Sequence, residues 1–315
     1  MLTLAQAQAL SQSKLTNQVI DEFRKDPLFD MMAFDNTVKP QGGKTLAYVY
    51  SRVKTQPTAA FRAINSEYTA QETDTEQFTV NLKVFGGSFE IDRVLQNDET
   101  QIVNHVQFQL QQKTKAAKAL FCDTFINGDS GVDANAFDGL EKAVTGSSTE
   151  VTPAAAINLS TSANITTNAN LLMDTLDAFL ALLDGTPSAL LMNRTLAAIM
   201  SGIARRSGYF STSDVDAFGK PVTKYQGIPL LPVGDKPGTS NPIIPTTVGE
   251  TLIYAIRIGQ DGVHAVSPEG NSIINTYLPN MSEPGAVKKG EVEMVAAMAL
   301  KATRAAGVLR KIKVA

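Results

Sequence analysis

A long polar segment between two alternating strands most constrains how this chain can fold. Residues 45–53 and 77–84 alternate apolar side chains with smaller or polar ones, as strands with one buried face do. The segment between them is polar and charged and has no persistent helical stripe. From residue 43 to residue 65 the chain can extend roughly 70 Å at about 3.3 Å per residue, against a radius of gyration of ~20 Å for a compact chain of this length. We therefore predict a hairpin that projects from the body.

A hairpin of two strands is marginally stable in water when it stands alone. We therefore expect this hairpin to become ordered by lying across a neighbouring subunit. Its charged side chains are the candidate inter-subunit contacts at the rim of that interface, namely Arg62, Glu67, Glu72, Asp74 and Glu76.

A long amphipathic helix is predicted after this hairpin, over residues about 98–126. Asp98 and Gln101 have the spacing of an N-terminal capping box. About 26 helical residues span roughly 40 Å, and the many polar side chains off the apolar stripe mean that only one narrow face is buried. Before it, Gly86 and Gly87 coincide with a change of apolar phase, which predicts a kink or bulge. A shorter helix is predicted over residues 10–26, because Pro27 blocks its continuation.

An Asp-, Asn- and Gly-rich stretch, residues 127–141, has the composition of a cation-binding loop. In an EF-hand loop that began at Asp133, Phe137 would take a ligand position and Asp138 the position of the obligatory glycine. The stretch is therefore interpreted as a turn after the long helix, and no metal site is predicted.

The second half of the chain alternates helical and strand patterns. Residues 145–170 are rich in Ser, Thr, Ala and Asn and are interpreted as a connection and domain boundary. Asn193 is predicted to cap a helix that begins at Arg194. Gln-Asp-Gly at 260–262 predicts a hairpin between the strands on either side of it. Further elements are predicted as a helix at 171–183, strands at 188–193 and 225–235, and C-terminal strands at 291–307 and 308–314 that pair with the first half.

Composition excludes several classes of function. A single cysteine, Cys122, excludes an internal disulfide framework, and two histidines leave little for a histidine-rich metal site. A net charge of −3 argues against strong electrostatic capture of nucleic acid. The C-terminal basic residues are interpreted as a solvated face, namely Lys301, Arg304, Arg310, Lys311 and Lys313. No run of about twenty apolar residues and no N-terminal leader is visible, so we expect no membrane partner and a cytoplasmic site of synthesis.

Catalytic motifs are incomplete. Gly-Gly-Lys-Thr at 42–45 matches the end of a phosphate-binding loop, but the first glycine of that motif would fall on Val38. The sequence has no G-x-S-x-G motif, so a hydrolase remains a remote alternative. We predict no enzyme activity, no catalytic residues and no cofactor.

The order of these parts resembles the major capsid proteins of tailed bacteriophages, which have the Hong Kong 97 phage-capsid fold. The resemblance covers nearly the whole chain. It rests on the arm helix, the projecting hairpin (the E-loop of that family), the long spine helix ending in LFCDTFINGD, the FDGL turn, SALLMNRTLAAI, GIPLLPVGD and LIYAIRIGQDGVHAVSP.

The resemblance implies an α+β chain with a Hong Kong 97-like capsid fold. Its parts would be an N-terminal arm at 1–41, an extended E-loop hairpin at 42–85, a P-domain at 86–165 and 272–315 that holds the spine helix, and an A-domain at 166–271. The implied function is self-assembly into hexamers and pentamers of an icosahedral shell around double-stranded DNA. The location would be the virion capsid, after assembly in the host cytoplasm.

Partners follow from the same resemblance. They are other copies of the chain, a portal, a decoration protein, and packaged double-stranded DNA bound non-specifically. Many relatives carry an N-terminal scaffolding segment of about a hundred residues, whereas the arm here is short, which predicts a separate scaffolding protein. The alternative is an encapsulin-type shell, which has the same fold and encloses a cargo enzyme. The long excursion favours the phage protein.

Overall fold

The structure is a computed structural model that describes residues 27–38, 46–55, 57–96, 105–206, 214–215, 221–269, 273–280 and 282–315. Within these ranges the helices are α1 (Leu28–Met31), α2 (Arg93–Gln96), α3 (His105–Asn127), α4 (Leu140–Val144), α5 (Ser162–Leu180) and α6 (Arg194–Arg206), with a 3-10 turn at Thr303–Ala305. The strands are β1 (Phe34–Val38), β2 (Ala47–Thr55), β3 (Asp74–Asn81), β4 (Lys83–Asp92), β5 (Glu150–Val151), β6 (Ile157–Asn158), β7 (Ala189–Met192), β8 (Asp214–Val215), β9 (Pro221–Val222), β10 (Lys224–Tyr225), β11 (Ile228–Pro232), β12 (Glu250–Ile256), β13 (Val263–Pro268), β14 (Ile274–Tyr277), β15 (Val287–Leu300) and β16 (Ala306–Lys313).

Sheet I is built around β15, the longest strand in the described ranges. The first ten of its fourteen residues pair antiparallel with β4, from Val287 opposite Asp92 to Ala296 opposite Lys83. It also pairs antiparallel with β14 and β13, and β13 in turn pairs parallel with β1. The predicted pairing of the C-terminal region with the first half of the chain is thereby confirmed.

Sheet II contains the strands of the second half in the order β10-β11-β7-β12-β16-β5, with β6 also on β16. Neighbouring residues of β7 face opposite sides of this sheet, as the two-residue period of a strand requires. Leu190 and Met192 pack with the buried faces of α5 and α6. Ala189 and Leu191 belong to the other core, which also contains α3. Sheet II is therefore covered on both faces.

An aromatic cluster fills the core between α3 and sheet I. At its centre is Phe121 of α3, which is fully buried. Ring centroids lie 5.6 Å from Phe121 for Phe29 and Phe34, 5.9 Å for Phe125 and Phe137, and 6.4 Å for Phe85. The cluster joins α1, β1, β4 and the loop after α3 to a single helical face.

The predicted long helix is present as α3, and its end at Asn127 matches the predicted end near 126. The capping residues Asp98 and Gln101 lie outside the described residues, as does the arm helix predicted at 10–26. The hairpin strands are also present, as β2 and β3, which pair antiparallel from Ala47 opposite Asn81.

Two predictions about connecting segments are wrong. Residues 145–170 are not a simple connection: β5 and β6 pair parallel with β16, and α5 begins at Ser162 after Thr161, whose hydroxyl accepts a hydrogen bond from the Asn164 amide at 3.2 Å. The Gln-Asp-Gly turn does not close a hairpin, since β12 pairs in sheet II while β13 pairs in sheet I. A local turn signal does not specify which sheet each strand joins.

The prediction that Gly86 and Gly87 cause the change of apolar phase is also wrong. Strand β4 runs in regular register with β15 through Gly86 and Gly87. The phase changes at Leu82, where the chain leaves β3 and enters β4, and the Leu82 amide donates to the Leu46 carbonyl at 2.7 Å. Val84, predicted to face inward, is exposed as a result.

Strand pairing crosses the predicted domain boundary near residue 271 in both directions. Strand β13 lies in the range predicted for the A-domain but pairs with β15 of sheet I. Strand β16 lies in the range predicted for the P-domain but pairs with β12 of sheet II. The division of the chain into a P-domain and an A-domain stays a prediction.

Gly86 and Gly202 provide an opposed pair of alanine substitutions. A Cβ at Gly86 would overlap the main-chain carbonyl oxygen of Val292 on β15, whereas a Cβ at Gly202 in α6 meets nothing within 4 Å. We expect Gly86→Ala to destabilise the fold by about 1–3 kcal/mol, as overpacking does. Gly202→Ala should stabilise it by about 0.5–1 kcal/mol, because alanine loses less backbone entropy in a helix. Thermal unfolding followed by circular dichroism measures both, and equal melting temperatures for the two variants would contradict the description of the β4–β15 contact.

Candidate inter-subunit interface

The E-loop hairpin, here β2, β3 and the described residues 57–73 between them, projects as a two-stranded ribbon. Cross-strand contact continues beyond the strands, since the amide and hydroxyl of Thr58 both donate to Gln71 Oε1, at 2.7 and 2.9 Å. The tip is a turn in which Asn65 has a φ of +66° and the Ser66 amide donates to the Ala63 carbonyl at 3.2 Å. Asparagine is among the residues that tolerate this left-handed conformation, so the sequence suits a reversal of the chain here.

The tip of the hairpin carries exposed apolar side chains. Phe61 is fully exposed, Ile64 is 91% exposed and Tyr68 is 65% exposed. Transfer of such a side chain from water to a buried site stabilises by about 1.5–3 kcal/mol for Phe or Ile. Sequence reasoning missed these three residues because it treated the segment as polar. The signal was present, because they are the three large apolar residues of this stretch, and we name them the apolar tip.

The five predicted contact residues lie at two separate places. Arg62 is at the tip, where Nη1 donates to the Ser66 carbonyl at 3.1 Å and the guanidinium lies 5.4 Å from the centre of the Tyr68 ring. Glu67 is exposed beside the tip, and Glu72 is exposed just before β3, next to Gln71, which pairs with Thr58. Asp74 and Glu76 lie on the shaft, with Asp74 3.9 Å from Lys54 and Glu76 opposite Arg52. Their contact with another subunit stays a prediction.

Three side chains on one face of β2 fasten the hairpin to the body, and we call them the hairpin anchor: Tyr48, Tyr50 and Arg52. The two-residue period of a strand places them on the same face. The Tyr48 hydroxyl donates to Asp35 Oδ2 at 3.1 Å, and the Tyr50 hydroxyl donates to the Leu300 carbonyl at 2.8 Å. Arg52 donates to the same carbonyl and, at 3.4 Å, to Thr303 Oγ1.

A buried histidine lies beneath the anchor. His264 of β13 is inaccessible to solvent, and its ring packs edge-on against Tyr48 with centroids 5.7 Å apart. Burial lowers the pKa of His264 below its ordinary value, and the nearby Lys301 ammonium lowers it further, while the Asp35 carboxylate acts in the opposite direction. Lys301 itself lies 5.2 Å above the Tyr48 ring. The joint between hairpin and body therefore favours neutral His264.

The carboxylates of the Asp-rich loop after α3 form ion pairs with a lysine of the same chain. The Lys142 ammonium lies 2.6 Å from Asp129 Oδ1 and 2.9 Å from Asp138 Oδ1. This hydrogen bond from Lys142 lowers the pKa of Asp129 below its ordinary value. Asp129 and Asp133 also accept hydrogen bonds from the amides of Gly131 and Asn135, at 2.8 and 2.9 Å. These carboxylates therefore stabilise the turn through ion pairs and hydrogen bonds within the loop.

The C-terminal basic residues do not form one solvated face, so that prediction is wrong for Arg310. Its Nη2 lies 2.7 Å from Glu141 Oε1 and donates to Thr145 Oγ1 at 2.9 Å, and its Nε donates to Glu150. Tyr254 of β12 also donates to Glu141. This network joins α4 to strands β5, β12 and β16 of sheet II.

Comparison with solved structures gives extensive matches at low sequence identity. The holo-SrpI encapsulin complex from Synechococcus elongatus PCC 7942 superposes with a TM-score of 0.69 at 16% identity, covering 99% of this chain and 96% of that chain. The capsid of a native GTA particle gives 0.64 at 14% identity, with 98% and 100% covered. The capsid of Myoviridae phage XM1 gives 0.59 at 12% identity, with 95% and 97% covered. The chain has the Hong Kong 97 capsid fold.

The fold class predicted from the sequence, α+β with a Hong Kong 97-like capsid fold, is therefore confirmed. No protein-family model matches the chain, and no curated protein matches it. In the described ranges, no helix is both long and apolar enough to span a membrane.

His264 predicts a pH dependence of stability. Unfolded histidine binds a proton near pH 6.5, whereas folded His264 does so only at lower pH, because burial lowers its pKa. As pH falls below about 6.5 the unfolded state gains a proton first, so the free energy of unfolding decreases by at most about 1.4 kcal/mol per pH unit until the folded pKa is reached. Urea unfolding from pH 7.5 to 5 should show this slope in the wild type and a smaller slope in His264→Gln.

The matched control for this experiment is His105→Gln, which leaves His264 in place and should keep its part of the slope. Stability curves for the wild type and His264→Gln that stay parallel from pH 7.5 to 5 would contradict the assignment.

Proposed function

We propose that the protein is the major capsid protein of a tailed bacteriophage, which assembles into hexamers and pentamers of an icosahedral shell around double-stranded DNA. The observation that carries the proposal is the apolar tip held away from a body that has a capsid fold. Phe61, Ile64 and Tyr68 are exposed in the single chain, and another copy of the chain provides the surface that buries them. The protein then acts by assembly rather than by turnover.

Assembly can use contacts that are individually weak. A subunit in a lattice makes several contacts at once, and each further contact forms at a high effective concentration. Rotational symmetry then closes the lattice into a particle of finite size. In this proposal Arg62 and Glu67 form polar rim contacts beside the apolar tip, and Glu72, Asp74 and Glu76 form polar contacts further along the hairpin.

The other proposed partners follow from the phage assignment. A portal, a separate scaffolding protein and a decoration protein would act during assembly in the host cytoplasm, and the virion capsid is the final location. The net charge of −3 suits a wall that contacts its DNA without sequence preference and without tight binding.

An encapsulin-type shell around a cargo enzyme is the second candidate. It is favoured by the TM-score of 0.69 and by coverage of 99% of this chain and 96% of the encapsulin chain. Because that coverage is nearly complete in both directions, the two chains have similar overall lengths. Both candidates are shells, and they differ in what the shell contains.

Electron microscopy of the purified protein and analysis of native particles test these proposals in turn. Closed shells in negative stain, with a matching sedimentation coefficient, support a shell protein, whereas monomers at high concentration overturn both candidates. Nuclease-protected double-stranded DNA inside native particles supports the phage protein. A single enzyme that copurifies inside nuclease-treated particles lacking DNA supports the encapsulin.

Replacement of residues 55–75 by a short Gly-Ser turn should abolish closed shells and leave the body folded. The reason is that, from 57 to 73, every described residue is exposed, so the replacement removes no part of either core. Circular dichroism should show near-normal spectra and a cooperative melt, and sedimentation velocity should show small species.

Two further variants distinguish the contribution of the apolar tip to shell assembly from that of the charged residues near it. Serine at Phe61, Ile64 and Tyr68 together should reduce shell yield strongly, whereas serine at Glu67 and Glu72 should reduce it less, because rim charges contribute little affinity. Unaltered shells after the Gly-Ser replacement would show that the hairpin is dispensable for assembly. An unfolded monomer would show that the hairpin serves folding instead.

A further inference from the structure

We propose that Arg52 is a positioning residue that fixes the angle at which the E-loop hairpin leaves the body, and that this angle sets the curvature of the shell. The inference rests on the proposed shell function. It follows from where Arg52 binds, from the length of the hairpin beyond it, and from the small number of side chains that hold the base.

Arg52 holds both strands of the hairpin and the body at once. Its guanidinium lies 4.2 Å from the centre of the Phe78 ring on β3, in cation–π geometry. It also donates to the Tyr50 hydroxyl at 3.2 Å, and Tyr50 stacks on Phe78 with ring centroids 5.7 Å apart. A planar guanidinium with several fixed donors can make these contacts together, which a lysine ammonium cannot.

The segment of the body that Arg52 binds is itself held in place by backbone hydrogen bonds. Leu300 ends β15 of sheet I, and Thr303 begins the 3-10 turn that leads to β16 of sheet II. The turn is held by the segments that follow β12 and α5, because the Arg257 amide donates to the Ala305 carbonyl at 2.8 Å and the Asp184 amide donates to the Arg304 carbonyl at 2.9 Å. The hairpin therefore projects from the corner at which β15 of sheet I is followed by β16 of sheet II.

The hairpin beyond Arg52 acts as a long lever. From residue 52 to Ile64 at the tip are about 12 residues, which span roughly 40 Å at about 3.3 Å each. A rotation of about 10° at the base then moves the tip by about 7 Å, which exceeds the ~4.5 Å limit of an apolar side-chain contact. A small loss of angular restraint at the anchor is therefore enough to move the apolar tip off its docking surface.

The same rotation changes the relation between neighbouring subunits. In a lattice closed by rotational symmetry, the angle between one subunit and the next decides whether and at what size the particle closes. A hairpin that reaches its neighbour from a fixed direction imposes one angle. A hairpin with a loose base admits several angles, and several particle sizes follow.

Lys54 gives a matched control for Arg52. It lies two residues further along β2 and carries the same charge. Among the described residues its ion-pair partner is Asp74, at 3.9 Å on the adjacent strand, and both side chains are largely exposed. Removal of Lys54 therefore changes the charge of the shaft without loosening its base.

The experiment compares wild type, Arg52→Ala, Arg52→Lys and Lys54→Ala by circular dichroism, sedimentation velocity and negative-stain particle diameters. We expect Arg52→Ala to keep a cooperative melt within a few degrees of wild type and to form several diameter classes or open sheets. Arg52→Lys should restore part of the uniform population, and Lys54→Ala should give wild-type diameters. Particle diameter at an unchanged melting temperature is the readout that separates positioning from a purely structural role.

A further variant keeps the inference testable if Arg52→Ala does not fold. Thr303→Val leaves Arg52 in place and removes one of its acceptors on the body, so it should broaden the diameters to a smaller extent. Wild-type diameters in both Thr303→Val and Arg52→Lys, or in a folded Arg52→Ala, would overturn the inference. Absence of shells from the wild type would instead overturn the proposed function.

Discussion

Burial of one narrow stripe of α3 is the constraint on which the rest of the structure depends. Ala117, Phe121 and Phe125 follow each other at a spacing of four residues and are buried, which places them on one face of the helix. Phe121 is enclosed by rings from α1, β1, β4 and the loop after the helix. Because most other faces of α3 are polar, this stripe determines how the helix lies on sheet I, and β4 carries that orientation to β15.

The corner between β15 and β16 transmits this arrangement to sheet II and to the hairpin. The Lys301 amide donates to the Gly262 carbonyl at 3.0 Å, and a Cβ at Gly262 would lie only 3.2 Å from the Ala305 Cβ, so the loop before β13 approaches this corner closely. Tyr50 and Arg52 bind the same corner through Leu300. The same corner therefore packs against the core and binds the base of the hairpin. A shift of this corner would change both the core packing and the direction of the hairpin.

Local patterns predicted the elements whose causes are local. The strand alternation at 45–53, the end of α3 near Asn127 and the helix cap at Asn193 each depend on residues close in sequence, and the Leu196 amide does donate to Asn193 Oδ1 at 2.8 Å. The prediction that residues 145–170 form a simple connection was wrong because Ser, Thr and Asn disfavour helices only weakly. Packing of Leu172, Leu176 and Phe179 outweighs that preference in α5.

Features that depend on distant partners could not be predicted from these patterns. The anchor joins Tyr50 to Leu300, which are 250 residues apart in sequence, and no periodicity in β2 points to that carbonyl. The separation of β12 from β13 is of the same kind, since a tight turn has the same local sequence whether its strands pair with each other or with different sheets. For the candidate interface, charge was visible in the sequence, whereas the exposure of Phe61, Ile64 and Tyr68 required the fold.

Under the proposed shell function, the hairpin with its apolar tip has to remain soluble before assembly. Its shaft carries charged residues on both strands, including Arg52, Lys54, Asp74 and Glu76, and charges on exposed edges oppose pairing with other strands. The apolar tip is small, so one docked hairpin gains a few kcal/mol at about 1.5–3 kcal/mol per buried side chain and loses part of it to ordering. A single contact of this kind is reversible, and in the proposed shell only a closed lattice, in which each subunit both gives and receives a hairpin, makes the sum large. Weak contacts of this kind let a misplaced subunit leave before the shell closes.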